Sequence, residues 1–136
     1  MDKTYHIEGG NFSEAGFASS DVKKLLKKLG LPTNIIKKAA IAMYEAEINV
    51  VAHAYRGDME FKIIPGQILV TVQDEGPGIP DLELAFTEGF STASSKVREM
   101  GFGAGMGLPN IKRNTDDISV ETEVGKGTRL SFVINI

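Results

Sequence analysis

Residues 70–79 read VTVQDEGPGI, and this stretch carries the strongest structural signal in the chain. Its first half alternates valine with polar residues, which predicts a strand that ends at Asp74. Gly76 and Gly78 then predict a tight turn in which the backbone can approach a ligand closely. The Asp74 carboxylate is suited to accept a hydrogen bond from an amine of that ligand. A common Asp-Gly turn gives the same pattern, so both interpretations stay open.

Upstream of this stretch, residues 34–55 carry apolar side chains at helical spacing and predict a long helix. Glu45, Asn49 and His53 are spaced four apart, so they project together beside the apolar stripe. The amide oxygen of Asn49 is a suitable hard ligand for Mg²⁺, and Glu45 is suited to accept a proton from an attacking hydroxyl. A solvated helix edge with a capping histidine would show the same spacing.

Downstream, residues 101–107 read GFGAGMG, with glycine at alternate positions, and a short helix is predicted over residues 109–114. Backbone N–H groups at the start of a helix attract phosphate. The pattern is neither a Walker A loop nor a dinucleotide fingerprint, because no Gly-Lys-Ser/Thr follows and a helix does not immediately follow a strand here. A flexible loop is the alternative interpretation.

The remaining pattern predicts an α+β fold in a single domain over residues 1–136. The long helix is predicted to be capped by Thr33 and to end at residues 56–58. The other predicted elements are an edge strand at 3–8, a helix at 13–29, strands at 59–64 and 67–73, and strands at 118–123 and 128–136. Together they form a two-layer sandwich, in which helices cover one face of a mixed, mostly antiparallel sheet.

Composition narrows the function classes. Nine of the fifteen glycines fall between residues 76 and 127, which indicates loops with a function in that part of the chain. The absence of cysteine excludes disulfides and thiolate metal sites. A net charge of -3 gives no bulk attraction to nucleic acid. With no apolar run long enough for a membrane and no signal peptide, we expect a cytoplasmic protein.

The three motifs, followed by Gly125-Lys126-Gly127-Thr128 before the last strand, resemble the GHKL ATPase superfamily over about residues 10–136. The resemblance implies the Bergerat fold with ATP and Mg²⁺ as ligands. It implies that Asn49 holds Mg²⁺, that Asp74 recognises adenine and that Thr128 supports the adenine site. The predicted ATP-binding residues are Asn49, His53, Asp74, Gly76, Gly78, Ile79, Gly103, Ala104, Gly105, Met106, Gly107, Leu108 and Thr128.

Within the superfamily, the chain most resembles the small anti-sigma-factor serine/threonine kinases, and among them the stressosome-type switch kinases. It holds only the ATPase unit, its lid over ATP at about 81–102 is short, and Glu45 stands where the family has its general base. The resemblance implies phosphoryl transfer to a serine of a small STAS-type anti-anti-sigma partner. It also suggests homodimers.

The lid departs from the family pattern at Gly103, where some anti-sigma kinases carry an arginine that contacts phosphate. Lys96, Arg98 and Lys112 are the candidates for the missing positive charge. The hydroxyl-rich lid either contacts the phosphates or forms a mobile polar loop. Its hydroxyl side chains are Thr87, Ser91, Thr92, Ser94 and Ser95.

Two other functions compete with the kinase. A nucleotide-gated protein would bind a sigma factor or switch partner and release it as the nucleotide changes, with little or no catalysis. The cluster Lys23, Lys24, Lys27 and Lys28 would then belong to a docking face, although it also fits the solvated side of an amphipathic helix. A detached histidine-kinase catalytic domain is the third possibility, but such domains usually lack a glutamate at the position of Glu45.

Overall fold

The computed structural model describes residues 1–87 and 107–136. The elements along the chain are β1 (Asp2–Glu8), a 3₁₀ turn (Phe12–Glu14), α1 (Phe17–Lys28), α2 (Thr33–His53), β2 (Arg56–Ile64), β3 (Gln67–Glu75), α3 (Leu82–Ala85), α4 (Gly107–Arg113), β4 (Asp117–Glu123) and β5 (Gly127–Asn135).

The five strands form one sheet in the order β1-β2-β3-β5-β4. Tight turns join β2 to β3 and β4 to β5, while β5 is brought beside β3 by the connection that contains α3, α4 and β4. The predicted α+β class and mostly antiparallel sheet are confirmed. Every strand pairing within residues 1–87 and 107–136 is antiparallel, so the parallel pairing that a mixed sheet requires is not found there.

The hydrophobic core lies between one face of the sheet and the helices. Alternate side chains of the central strands point inward, as a half-buried antiparallel sheet requires. Helix α2 packs on this face and is flanked by α1 and α4. The buried core includes Val22 and Leu26 of α1, Ala39, Met43, Ala46 and Val50 of α2, Met59 and Phe61 of β2, Ile68, Val70 and Val72 of β3, Ile111 of α4, and Leu130, Phe132 and Ile134 of β5.

Several element boundaries differ from the sequence-based prediction by a few residues, and two of them have a clear structural cause. Helix α1 begins at Phe17 rather than at residue 13, because Gly16 has a left-handed φ of 95° that interrupts the helical path. Helix α2 ends at His53, and the predicted terminator at residues 56–58 belongs to β2 instead. Two residues after the end of α2, the amide of Tyr55 donates a hydrogen bond to the carbonyl of Glu75 in β3 at 2.8 Å. The chain therefore joins the sheet before residue 56.

The lysine cluster of α1 lies on the exposed side of that helix, as the amphipathic interpretation predicts. Helix α2 begins after Pro32, and Thr33 is its first residue rather than a side-chain cap. None of the helices within residues 1–87 and 107–136 has the length and apolar character needed to cross a bilayer.

A buried glutamate joins the two long helices. Glu47 of α2 is 2% exposed, and its two carboxylate oxygens accept hydrogen bonds from the amides of Ala18 at 3.1 Å and Ser19 at 3.2 Å. These amides lie in the first turn of α1, where no helical carbonyl is available to them. A negative charge is also favoured there by the helix dipole. Glu47 therefore has a structural role in docking α1 on α2.

We expect Glu47→Gln to lower the free energy of unfolding by about 2 kcal/mol, because the substituted amide places an NH₂ group against a backbone donor. Urea denaturation followed by circular dichroism measures the change. Glu121→Gln, the same substitution at an exposed position of β4, is the matched control and should leave stability unchanged. Equal stability of the two variants would contradict the docking role.

Candidate functional site

Asp74 lies at the end of β3 and is held by the strand beside it. Its Oδ1 accepts a hydrogen bond from the backbone amide of Thr128 at 2.9 Å. Burial raises the pKa of the Asp74 carboxyl above its usual value, and the Thr128 hydrogen bond opposes that rise. The carboxyl is half-buried, and its second oxygen is not needed for the Thr128 contact. It can therefore accept a further hydrogen bond from a ligand.

Glycines surround Asp74 because the backbone packs against it too closely for side chains. A Cβ at Gly127 would lie 2.1 Å from the Asp74 carbonyl oxygen, a distance that no real structure allows. A Cβ at Gly57 would meet the Asp74 Cβ at 3.2 Å, and one at Gly76 would meet the Cα of Ala54 at 3.0 Å. Besides the predicted Gly76, two further glycines therefore lie against Asp74. These are Gly57 and Gly127, which the sequence analysis does not place among the ATP-binding residues.

The turn after Asp74 is anchored to the β4–β5 hairpin. Gly78 has a φ of 76°, and a Cβ there would lie 2.6 Å from the carbonyl oxygen of Glu123. The amide of the next residue, Ile79, donates to the Thr122 hydroxyl at 2.8 Å. That hydroxyl lies 3.0 Å from the hydroxyl of Thr128. Gly78, Ile79 and Thr128 are therefore brought together around Thr122.

Glu45, Asn49 and His53 lie half-buried on one edge of α2, as their spacing predicts. Burial raises the pKa of Glu45, and a hydrogen bond with the side chain of Asn110 opposes the rise. Burial lowers the pKa of His53, which favours its neutral form. Gly107, the first residue of α4, faces Asn49, and a Cβ there would be 3.0 Å from the Asn49 Oδ1.

Two contacts bring the edge of α2 to the turn that carries Asp74. Val50, which follows Asn49, has its Cγ1 3.2 Å from where a Gly57 Cβ would stand. Ala54, which follows His53, packs against Gly76. The carboxyl of Asp74 and the polar edge of α2 therefore belong to one region, although they come from different layers of the fold.

The side-chain oxygen atoms in this region suit a Mg²⁺ ion that is bound together with a phosphate group. No cluster of three or more histidine, aspartate or glutamate side chains that could hold a metal occurs within residues 1–87 and 107–136. Mg²⁺ does not require one, because it keeps several waters and commonly takes only one or two protein oxygens. Asn49 can provide such an oxygen from its amide. Its role as a magnesium ligand stays a prediction.

Several predicted residues fall elsewhere. Gly103, Ala104, Gly105 and Met106, like most of the predicted lid, lie outside the described residues. Leu108 is buried in the hydrophobic core, so its side chain packs there and only its backbone is available to a nucleotide. The ATP-binding assignments of these residues stay predictions.

Sequence reasoning missed two polar side chains of the site. Thr122 is opposite Thr128 in the β4–β5 pairing, and this cross-strand position was visible once the hairpin was predicted. Asn110 is a polar residue among the buried Leu108, Pro109 and Ile111 at the start of α4. A polar residue in an otherwise buried helical turn indicates a polar partner nearby, and this signal could have identified Asn110.

A family model for histidine kinase-, DNA gyrase B-, and HSP90-like ATPases matches residues 31–136. The chain belongs to this family. The resemblance to GHKL ATPases that the three motifs indicate is thereby confirmed, and membership of this family implies ATP binding.

The relatives of this GHKL ATPase domain include anti-sigma factors and a kinase. It is 28% identical over 115 residues to the serine/threonine-protein kinase RsbT of Bacillus subtilis, with 82% of this chain and 80% of RsbT covered. It is 31% identical over 135 residues to the anti-sigma F factor of Geobacillus stearothermophilus, with 94% of this chain and 89% of that protein covered. The predicted likeness to anti-sigma kinases is confirmed.

Solved structures support the fold. The RsbU and RsbW domains of Rv1364c from Mycobacterium tuberculosis match with a TM-score of 0.64 at 14% identity, covering 97% of this chain and 32% of that one. The mycobacterial sensor histidine kinase MprB matches with a TM-score of 0.57 at 17% identity, covering 99% of this chain and 97% of that one. At these identities the likeness establishes a shared fold.

We expect Gly78→Ala to weaken ATP binding by at least about tenfold, because its Cβ would collide with Glu123 and displace the turn after Asp74. Gly125→Ala is the matched control. It also has a positive φ, of 84°, but a Cβ there meets nothing within 4 Å, so it should cost only about 1 kcal/mol of stability. Titration with a fluorescent ATP analogue measures the affinity. Equal affinities in the two variants would contradict the role of this turn.

Proposed function

We propose that this GHKL ATPase domain is a serine/threonine protein kinase of the anti-sigma regulatory type. It would transfer the γ-phosphate of ATP to a serine or threonine of a small STAS-type partner protein. The observation that carries the proposal is the position of Glu45, a half-buried carboxyl one helical turn before Asn49. The name of the relative RsbT, a serine/threonine-protein kinase, supports the same activity.

The residues divide into nucleotide binding and chemistry. Asp74 would accept a hydrogen bond from the exocyclic amine of adenine, with Thr128 and Thr122 holding the turn in place. Asn49 would contribute its amide oxygen to Mg²⁺, which neutralises phosphate charge when it is bound. His53, neutral because burial lowers its pKa, would lie at the edge of the same region.

Glu45 would act as the general base. As the seryl oxygen of the partner forms its bond to the γ-phosphorus, the Glu45 carboxylate takes the hydroxyl proton. The bond between the γ-phosphorus and the β,γ-bridging oxygen breaks, and ADP leaves with that oxygen. Burial raises the pKa of Glu45, which makes the carboxylate a stronger proton acceptor than an exposed one. The base must be ionised, so the rate should fall as the pH drops through this raised pKa.

Relatives named anti-sigma factors support a regulatory protein as the partner. Two classes fit a regulator of this type: a STAS-domain anti-anti-sigma protein as the substrate, and a sigma factor as a bound target. A homodimer and a cytoplasmic location belong to the same proposal, and the net charge of -3 fits protein partners better than nucleic acid.

Asp74→Asn tests the adenine assignment. The asparagine oxygen can still accept from Thr128, but its NH₂ group would then face the adenine amine, donor against donor. We expect ATP affinity to fall by at least about tenfold, and the preference for ATP over GTP to decrease because guanine offers an acceptor at that position. Calorimetry with both nucleotides measures this. Asp58→Asn, on the exposed side of β2, is the control, and an unchanged ATP preference in Asp74→Asn would refute the assignment.

Glu45→Gln tests the base. The variant retains the shape of the side chain but cannot take a proton, so transfer should fall by about 10²–10⁴-fold while ATP affinity changes little. The assay follows ³²P from [γ-³²P]ATP to purified STAS-domain proteins encoded in the same genome. Glu60→Gln, an exposed glutamate on β2, is the control. Transfer at the normal rate by Glu45→Gln would show that Glu45 is not the base.

A nucleotide-gated binding protein is the second candidate, favoured by the exposed lysine face of α1 and by relatives named anti-sigma factors. It predicts partner capture that differs between ATP and ADP without label transfer. A pull-down of a sigma factor with each nucleotide, run beside the ³²P assay, separates the two functions.

A further inference from the structure

Asn110 of α4 lies between an arginine and the proposed base. The Nη2 of Arg113 donates a hydrogen bond to the Asn110 Oδ1 at 2.6 Å. A guanidinium group has only donors, so it fixes the amide oxygen of Asn110 on its own side. The NH₂ group of the same amide must then point away from Arg113, where it is available as a donor.

The packing of α4 on α2 brings Asn110 to Glu45. Gly107, one turn before Asn110, would place a Cβ 3.0 Å from the Oδ1 of Asn49, which lies one turn after Glu45. The Asn110 amide is the polar partner of the Glu45 carboxyl across this contact, and its hydrogen bond lowers the pKa that burial raises. The backbone that carries Asn110 is well fixed, because its neighbours Leu108 and Ile111 are buried in the core. One turn of α4 thus places a single amide donor against a half-buried carboxylate.

We propose that Asn110, oriented by Arg113, is the positioning residue that holds the Glu45 carboxylate ready to accept the proton of the partner's hydroxyl. The inference rests on the proposed kinase function. It goes beyond the motifs that led to that function, since none of them assigns a role to Asn110 or Arg113.

Glu45 needs such a residue because burial alone would make it a poor base in two respects. A half-buried carboxylate can rotate, and burial favours its protonated form. One N–H donor from Asn110 fixes an oxygen and stabilises the charged form, while the other oxygen remains free for the hydroxyl. Burial and then the charge of Glu45 raise the pKa of Tyr44 on the same helix, and Arg113 donates to the Asn110 oxygen on the other side of the contact.

Asn110→Asp separates positioning from packing. The new carboxylate matches asparagine in size and still accepts from Arg113, so the contact that fixes α4 is retained. It cannot donate to Glu45, and its negative charge opposes the ionisation of Glu45. We expect ³²P transfer at pH 7 to fall by about tenfold. The acid limb of the pH–rate profile should move to higher pH, while ATP affinity stays within about twofold of the wild type.

Asn114→Asp is the matched control, because it makes the same charge change one turn further along, where the side chain donates to the carbonyl of Asn110 rather than to Glu45. Its acid limb should coincide with that of the wild type. The inference is overturned if Asn110→Asp has a wild-type pH profile, if Asn114→Asp shifts the profile equally, or if Asn110→Asp acts through lost ATP affinity.

A second measurement does not need catalysis. ¹³C NMR titration of the Glu45 side-chain carboxyl in nucleotide-free protein should show a higher pKa in Asn110→Asp than in wild type. Identical titrations would overturn the inference even if the kinase is active. A shifted titration in a protein that binds ATP but labels no STAS-domain protein would support the Asn110–Glu45 pairing and overturn the kinase assignment.

Discussion

The close approach of β5 to Asp74 is the constraint on which the site depends. The Thr128 amide donates to the Asp74 carboxyl, and a Cβ at Gly127 would be 2.1 Å from the Asp74 carbonyl oxygen. This contact joins the end of β3 to the start of β5. It also fixes a half-buried carboxyl whose pKa burial raises. If a side chain intervened, β5 would have to move away, and both the sheet register and the direction of the carboxyl would change with it.

Helix α2 then connects this carboxyl to a second set of polar groups. Glu45 and Glu47 are two residues apart, so they face different directions around the helix. Glu47 is buried and receives two backbone amides of α1, which makes it a structural group. Glu45 is half-buried and receives one side-chain amide from α4. The same residue type thus has two roles on one helix, and the difference comes from how many donors each carboxylate meets.

The fold was largely predictable from the sequence because its strands and helices carry clear periodic patterns. Both hairpins, the long helix and the layered α+β arrangement follow from alternation and helical spacing. The start of α1 was misplaced because Gly16 interrupts a pattern that residues 13–29 otherwise support. The sequence predicts that residues 56–58 end the long helix, since Gly57 suggests a break. In the folded protein Gly57 lies in β2, where it makes room for Val50 and Asp74.

The sequence by itself determined the family and the order of the elements, because these are encoded in local spacing and in glycine positions that a short motif reveals. The same spacing predicts Asn49 and Asp74 as the central residues of the site. Only the tertiary structure decided that Gly127 packs on Asp74 and that Asn110 reaches Glu45. It also decided that Thr122 connects the turn after Asp74 to Thr128. These contacts link residues far apart in the chain. They exist because sheet pairing and helix packing bring separate segments within hydrogen-bonding distance, which no local pattern encodes.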